Sequence, residues 1–72
     1  MSDQARWEGW LVQYPDAEGE TKEIHVIGAW QGYEVAARYP GAIVCGVRRR
    51  SELRQGQPAY ELVPVDREGR AL

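Results

Sequence analysis

The sequence predicts a single small α+β domain of order β-β-α-β-β, a four-stranded sheet with one short helix packed on one face. Three observations carry that expectation. Two early segments alternate apolar and polar residues on either side of a Pro-Asp-Ala-Glu-Gly connection. A middle segment repeats small and apolar residues at helical spacing, and two later segments are short apolar runs divided by a polar stretch.

Strand one is expected over 7–14, where Trp10, Val12 and Tyr14 share one face and Gly9, Leu11 and Gln13 the other. Pro15 to Gly19 supplies the proline, aspartate and closing glycine of a hairpin connection. Strand two follows over 20–27, with Lys22, Ile24 and Val26 opposed to Glu23, His25 and Ile27, and pairs antiparallel with strand one. Gly28 interrupts the alternation. Residues 29–39 then read as a helix of about three turns, with Gly32, Val35, Ala36 and Tyr39 on one stripe and Arg38 in the last turn. No Ser, Thr, Asp or Asn stands at its N-cap, and Gly32 costs roughly 1 kcal/mol relative to alanine, so the helix must be held by the sheet.

Tyr39-Pro40-Gly41 stops the helix, because proline disfavours helical geometry in the residue before it and glycine permits the reversal. Strand three is expected over 42–50, with Ile43, Cys45 and Val47 toward the helix and Val44, Gly46 and Arg48 away from it. On that parity Arg48 and Arg50 project from the far face and Arg49 falls on the core side. Residues 51–58 form a polar loop and 59–65 strand four, with Tyr60 in the core and Pro64 confining the strand to an edge. Residues 1–7 read as a polar leader, 8–65 as the domain and 66–72 as a charged tail that frays.

Length limits what such a fold can do. A chain of 72 residues buries only about 60% of the surface its unfolded form exposes, which favours a shallow working surface over a deep catalytic cavity. One cysteine, Cys45, precludes an intramolecular disulfide, and the opening MSDQARWEGW has neither the apolar run of a signal peptide nor that of a membrane span. A cytoplasmic location without membrane contact is expected. The net charge is −2 but unevenly laid out. Residues 1–37 hold two basic against seven acidic side chains, and 38–72 hold seven arginines against four acids.

Little in the chain points to catalysis. The one histidine and one cysteine fall in different strands, so neither a metal site nor a nucleophile-base pair is expected. His25 beside Glu23 reads as a surface residue on a charged face and Cys45 as a small buried hydrophobe. The glycines of 28–32 lack the spacing and the lysine of a phosphate-binding loop. No enzymatic activity and no cofactor are expected.

Binding is the stronger signal. Arg48, Arg49, Arg50 and Arg54 gather guanidinium groups suited to bidentate contact with carboxylates or phosphates. Three tryptophans and four tyrosines with no phenylalanine favour an interface, and Trp7, Trp30 and Tyr33 fall off the core stripe. The acidic turn at Asp16, Glu18, Glu20 and Glu23 reads as solvated.

Trp10 to Tyr14, the Asp16 to Gly19 turn, Ile24 and Val26, and a short helix closing on Tyr39-Pro40-Gly41-Ala42-Ile43 together resemble small ββαββ proteins of bacteriophages and mobile elements, some anti-CRISPR inhibitors among them. The resemblance spans residues 8–65 and is one of pattern and size. It implies a stand-alone protein that binds a host protein or nucleoprotein complex. A protein partner held by Arg48, Arg49, Arg50, Arg54, Trp7, Trp30 and Tyr33 is therefore the leading expectation. Direct binding of single-stranded DNA or RNA is the second, and a self-associating module, monomer or homodimer, with a strand-four edge paired across a two-fold axis, is the third.

Overall fold

A computed structural model describes residues 7–72. The predicted leader lies outside the described residues apart from Trp7. Five elements follow in the expected order: β1 (Gly9–Pro15), β2 (Thr21–Val26), α1 (Ala29–Ala36), β3 (Ile43–Arg49) and β4 (Tyr60–Pro64). All pairings are antiparallel, and the sheet order is β2-β1-β3-β4. β2 and β3 thus run in the same direction with β1 between them, and α1 makes the crossover between them.

The register sets which side chains meet the helix. Trp10 faces Val26 and Gly46, and Val12 faces Ile24 and Val44. A Cβ on Gly32 would stand 2.6 Å from a Val44 methyl and 3.6 Å from a Val12 methyl, so α1 rests its glycine on this face. The core is Val12, Ala29, Val44 and Val65, all buried, with Trp7, Trp10, Val26, Tyr33, Val35, Ala36 and Ala42 packed around them.

This parity corrects the expectation for β3. Val44 and Gly46 face the helix; Ile43, Cys45 and Val47 point to the opposite face. The two sets are almost equally apolar, so alternation alone does not choose between them. What decides is size: Gly46 leaves room for the Trp7 indole, whose ring carbons would lie 2.5 to 2.9 Å from any Cβ at that position. The shift carries into β4, where Glu61 and Val63 lie on the helix side and Tyr60, expected in the core, is 41% exposed on the other.

α1 is shorter than the three turns expected. It ends at Ala36 because the next bonds tighten to Arg38 N–H to Val35 O at 3.0 Å and Tyr39 N–H to Ala36 O at 3.1 Å. Arg38 therefore lies beyond the last turn. At the start, Gly28 is extended and supplies no side-chain cap. Gln31 compensates by reaching back to accept the Ile27 N–H at 2.8 Å, in the manner of the acceptor half of a capping box.

Residues 66–72 also depart from expectation. Rather than fraying, they have a defined hairpin geometry. Asp66 N–H donates to Arg70 O at 2.8 Å, Val65 bridges Ala71, and Leu72 N–H donates to Pro64 O at 3.0 Å. The turn lies against the helix-side layer. Trp7 Nε1–H donates to Gly69 O at 2.7 Å, and the Trp10 ring closes on Gly69 from the same side. α1 covers one half of this face and the two indoles with the C-terminal turn cover the other.

Candidate functional site

With both covers on one side, the opposite sheet face receives neither α1 nor the C-terminal turn. An antiparallel sheet with one solvated face ordinarily carries polar residues there. Here the outward positions of the two central strands are Gly9, Leu11 and Gln13 on β1 and Ile43, Cys45, Val47 and Arg49 on β3. Leu11 and Cys45 are buried and Ile43 is 48% exposed. β4 adds Tyr60, Leu62 and Pro64, and β2 adds Glu23 and His25.

A shallow depression of about 290 Å³ opens on this face, lined by Glu8, Gly9, Trp10, His25, Val47 and Tyr60. Gly9 is the reason: a Cβ there would meet nothing within 4 Å, so the floor lacks a side chain. Arg49 borders the hollow. It donates to Tyr60 Oη at 3.1 Å, and its Cζ lies 5.6 Å from the Tyr60 ring. That hydrogen bond first, and nearby Glu8 after it, hold the Arg49 guanidinium still more firmly protonated than usual.

The arginines expected to act as one cluster divide between the two faces. Arg48 Nε contacts Glu61 Oε2 at 2.6 Å and Arg50 NH1 contacts Glu61 Oε1 at 3.3 Å, so one carboxylate bridges both. Arg48 also lies over the Trp7 ring at 5.7 Å, and Arg50 Nε donates to Pro58 O at 3.0 Å. These two side chains tie the end of β3 to β4 on the helix side, while Arg49 points away from them. Arg54 is exposed in the loop, where its N–H donates to Gln57 Oε1 at 3.3 Å.

The aromatic residues expected off the stripe are likewise separate. Trp7 is half-buried in the helix-side layer, 6.1 Å from Trp10. Tyr33 donates to Val65 O at 2.6 Å and carries the Arg67 guanidinium 4.8 Å from its ring. Trp30 alone of the three is exposed, at 57%. Tyr14 and Tyr39 pack on each other 4.2 Å apart.

His25 and Glu23 share the open face, as the alternation of β2 predicts. Cys45 is buried there, and burial foremost, then the negative charge of Glu23, pushes its thiol pKa up. A protonated, enclosed thiol is a poor nucleophile. Among the described residues no group of three or more His, Cys, Asp or Glu side chains is placed to hold a metal ion, and no helix is long and apolar enough to cross a membrane.

Sequence reasoning missed the C-terminal turn, although its signal is present. Asp16-Ala-Glu-Gly-Glu20 and Asp66-Arg-Glu-Gly-Arg70 share the same spacing. Both aspartates accept from the residues two and four positions on: Asp16 Oδ1 from Glu18 and Glu20 N–H at 2.9 and 2.8 Å, Asp66 Oδ1 from Glu68 and Arg70 N–H at 3.0 and 2.9 Å. Both glycines take a left-handed φ, +84° and +87°. The chain uses one turn design twice. No protein-family model, curated protein or solved structure matches this chain.

Proposed function

We propose that the chain is a non-enzymatic binding protein that holds a partner protein against the sheet face opposite the helix. The observation that carries this reading is the apolar character of the outward positions on the central strands, where a solvated sheet calls for polar residues: Leu11 and Cys45 lie buried within this face, and Ile43, 48% exposed, and half-buried Val47 present the apolar surface. Tyr60 and Arg49 at the end of that face supply the aromatic and guanidinium anchors that interfaces favour. The hollow over Gly9 accepts a small apolar side chain of the partner, and Arg49, which bonds a neutral phenol, retains donors for a carboxylate beside it. Arg48 and Arg50 serve the fold through Glu61. Resemblance to phage-borne binding proteins favours a host protein as the partner.

Nucleic acid is the less supported partner. Base stacking needs aromatic platforms, and Trp7, Trp10, Tyr14 and Tyr33 lie on the helix side, leaving Tyr60 alone among the strand aromatics on the open face.

A photo-crosslinking residue at Ile43 tests the proposal. It should capture a protein in the expressing cell, and the same residue at Glu34, exposed on α1, should not. Arg49→Ala should weaken capture about tenfold or more, and Arg48→Ala should leave it unchanged. Capture that survives Tyr60→Ala and Arg49→Ala together removes this face from the account. Retention of single-stranded oligonucleotides with a steep salt dependence replaces the protein partner by nucleic acid.

A further inference from the structure

The sheet has two edges, and they are not equivalent. On β4 the main-chain groups directed away from β3 belong to Tyr60, Leu62 and Pro64. Val65 N–H bonds Val44 O and Arg50 N–H bonds Ala59 O, which assigns the alternate residues to β3. Pro64 has no N–H, and its carbonyl is taken by Leu72 N–H. This edge is blunted. On β2 the Asp16 N–H to Glu20 O bond sets the phase, so Lys22, Ile24 and Val26 direct their main chain to β1 and Thr21, Glu23 and His25 direct theirs outward. Among the described residues no main-chain group pairs with those three.

We infer that β2 is a self-association edge, where a second copy of this chain pairs antiparallel through its own β2 in a register centred on Ile24. Outward-directed residues must oppose one another for the ladder to form, which leaves few registers in phase. Centring on Glu23 sets that carboxylate opposite its own copy, a repulsive pair, and centring on His25 sets Glu23 opposite Ile27. Centring on Ile24 sets Glu23 opposite the second copy's His25, and His25 opposite the second copy's Glu23. Each such pair exchanges both main-chain hydrogen bonds and places a carboxylate against an imidazole on the open face. On the helix side the two Ile24 side chains meet. Isologous symmetry makes the Glu23–His25 pair occur twice, while the Ile24 pair lies on the axis and occurs once.

Exposure at this edge agrees with a covering copy. Ile27, directly after β2, is 76% exposed, and Trp30, 57% exposed, lies with its ring against the Gly28 position. In the Ile24-centred register Ile27 faces the second copy's Thr21, so the apolar residue just past one β2 lies along the polar start of the other. Two four-stranded sheets then become one continuous sheet of twice the width, with the β4 edges outermost.

Sedimentation velocity combined with amide hydrogen exchange on the wild-type chain tests the inference. At concentrations where the chain sediments as a dimer, the Glu23 and His25 amides should exchange slowly and speed up on dilution, while Lys22 and Ile24 stay protected throughout. Glu23→Lys and His25→Glu should each weaken the dimer about tenfold. The double variant E23K/H25E should restore it, because the exchange sets an ammonium opposite a carboxylate across the axis. Ile43→Glu, on the open face, should leave the dimer intact. A chain that stays monomeric at millimolar concentration overturns the inference. So does a dimer whose Glu23 and His25 amides exchange freely, or one dissolved by Ile43→Glu.

Discussion

Asp66 and Cys45 show how neighbours set the chemistry of single residues. The Asp66 carboxylate accepts from the Arg70 main-chain N–H first and from that of Glu68 after it, with the Arg70 charge and the nearby Gly69 N–H adding to them, and these hold its pKa below the ordinary aspartate value. A depressed folded-state pKa contributes stability that is fully present above the ordinary aspartate value and is lost as pH falls through the depressed one. Acid titration should therefore loosen the 66–70 turn in that window, seen as a change in indole fluorescence from Trp7 and Trp10, which touch Gly69. Asp66→Asn should show the loosened signal at neutral pH and lose the acid step. Cys45 is shifted the other way. Its enclosed, protonated thiol should resist a neutral aromatic disulfide reagent in the native protein and react fully in denaturant. Rapid native-state reaction at neutral pH contradicts this burial.

Elements were more legible than their faces. Alternation in β1 and β2, helical spacing after Gly28 and the Pro-Gly stop are local signals, and each marks an element in the structure. The face of β3 is not a local property. Ile43, Cys45 and Val47 compete with Ala42, Val44 and Gly46 on nearly equal terms, and Trp7 decides between them from 39 positions earlier by lying on Gly46. Turning that parity exchanges the faces of the arginines, bringing Arg48 and Arg50 to the helix side and Arg49 to the other, since side chains one residue apart on a strand point to opposite faces. Charge density along a sequence therefore overstated charge density in space. Gly32 teaches a related lesson: a poor helix former by propensity, it is the point of closest approach. Gly32→Ala gains roughly 1 kcal/mol of helix propensity. It also places a methyl 2.6 Å from Val44, a buried β-branched side chain, and such overpacking typically costs about 1–3 kcal/mol. The overpacking wins. The variant should melt several degrees lower by calorimetry, by the usual ~4–8 °C per kcal/mol for a domain this small. A rise in melting temperature would mean that α1 can lift from the sheet without penalty.

At the scale of the molecule, one face is closed and the other open. Trp7, Trp10, α1 and the C-terminal turn crowd onto the first, and the second is left with the apolar outward set of β1 and β3. The hydrogen bond from Trp7 to Gly69 joins residues 62 positions apart, so the closed face is completed by the two ends of the described chain. That separation has a consequence for synthesis on the ribosome, where the chain emerges from its N-terminal side. β1 and β2 pair with each other early, because their register partners lie 6 to 16 positions apart. The Trp7 indole has no acceptor for its N–H, and Trp10 no lid, until Gly69 has left the exit tunnel. A nascent chain stalled before that residue should carry both indoles uncovered on the side that the turn closes, and their fluorescence should change once Gly69 has emerged.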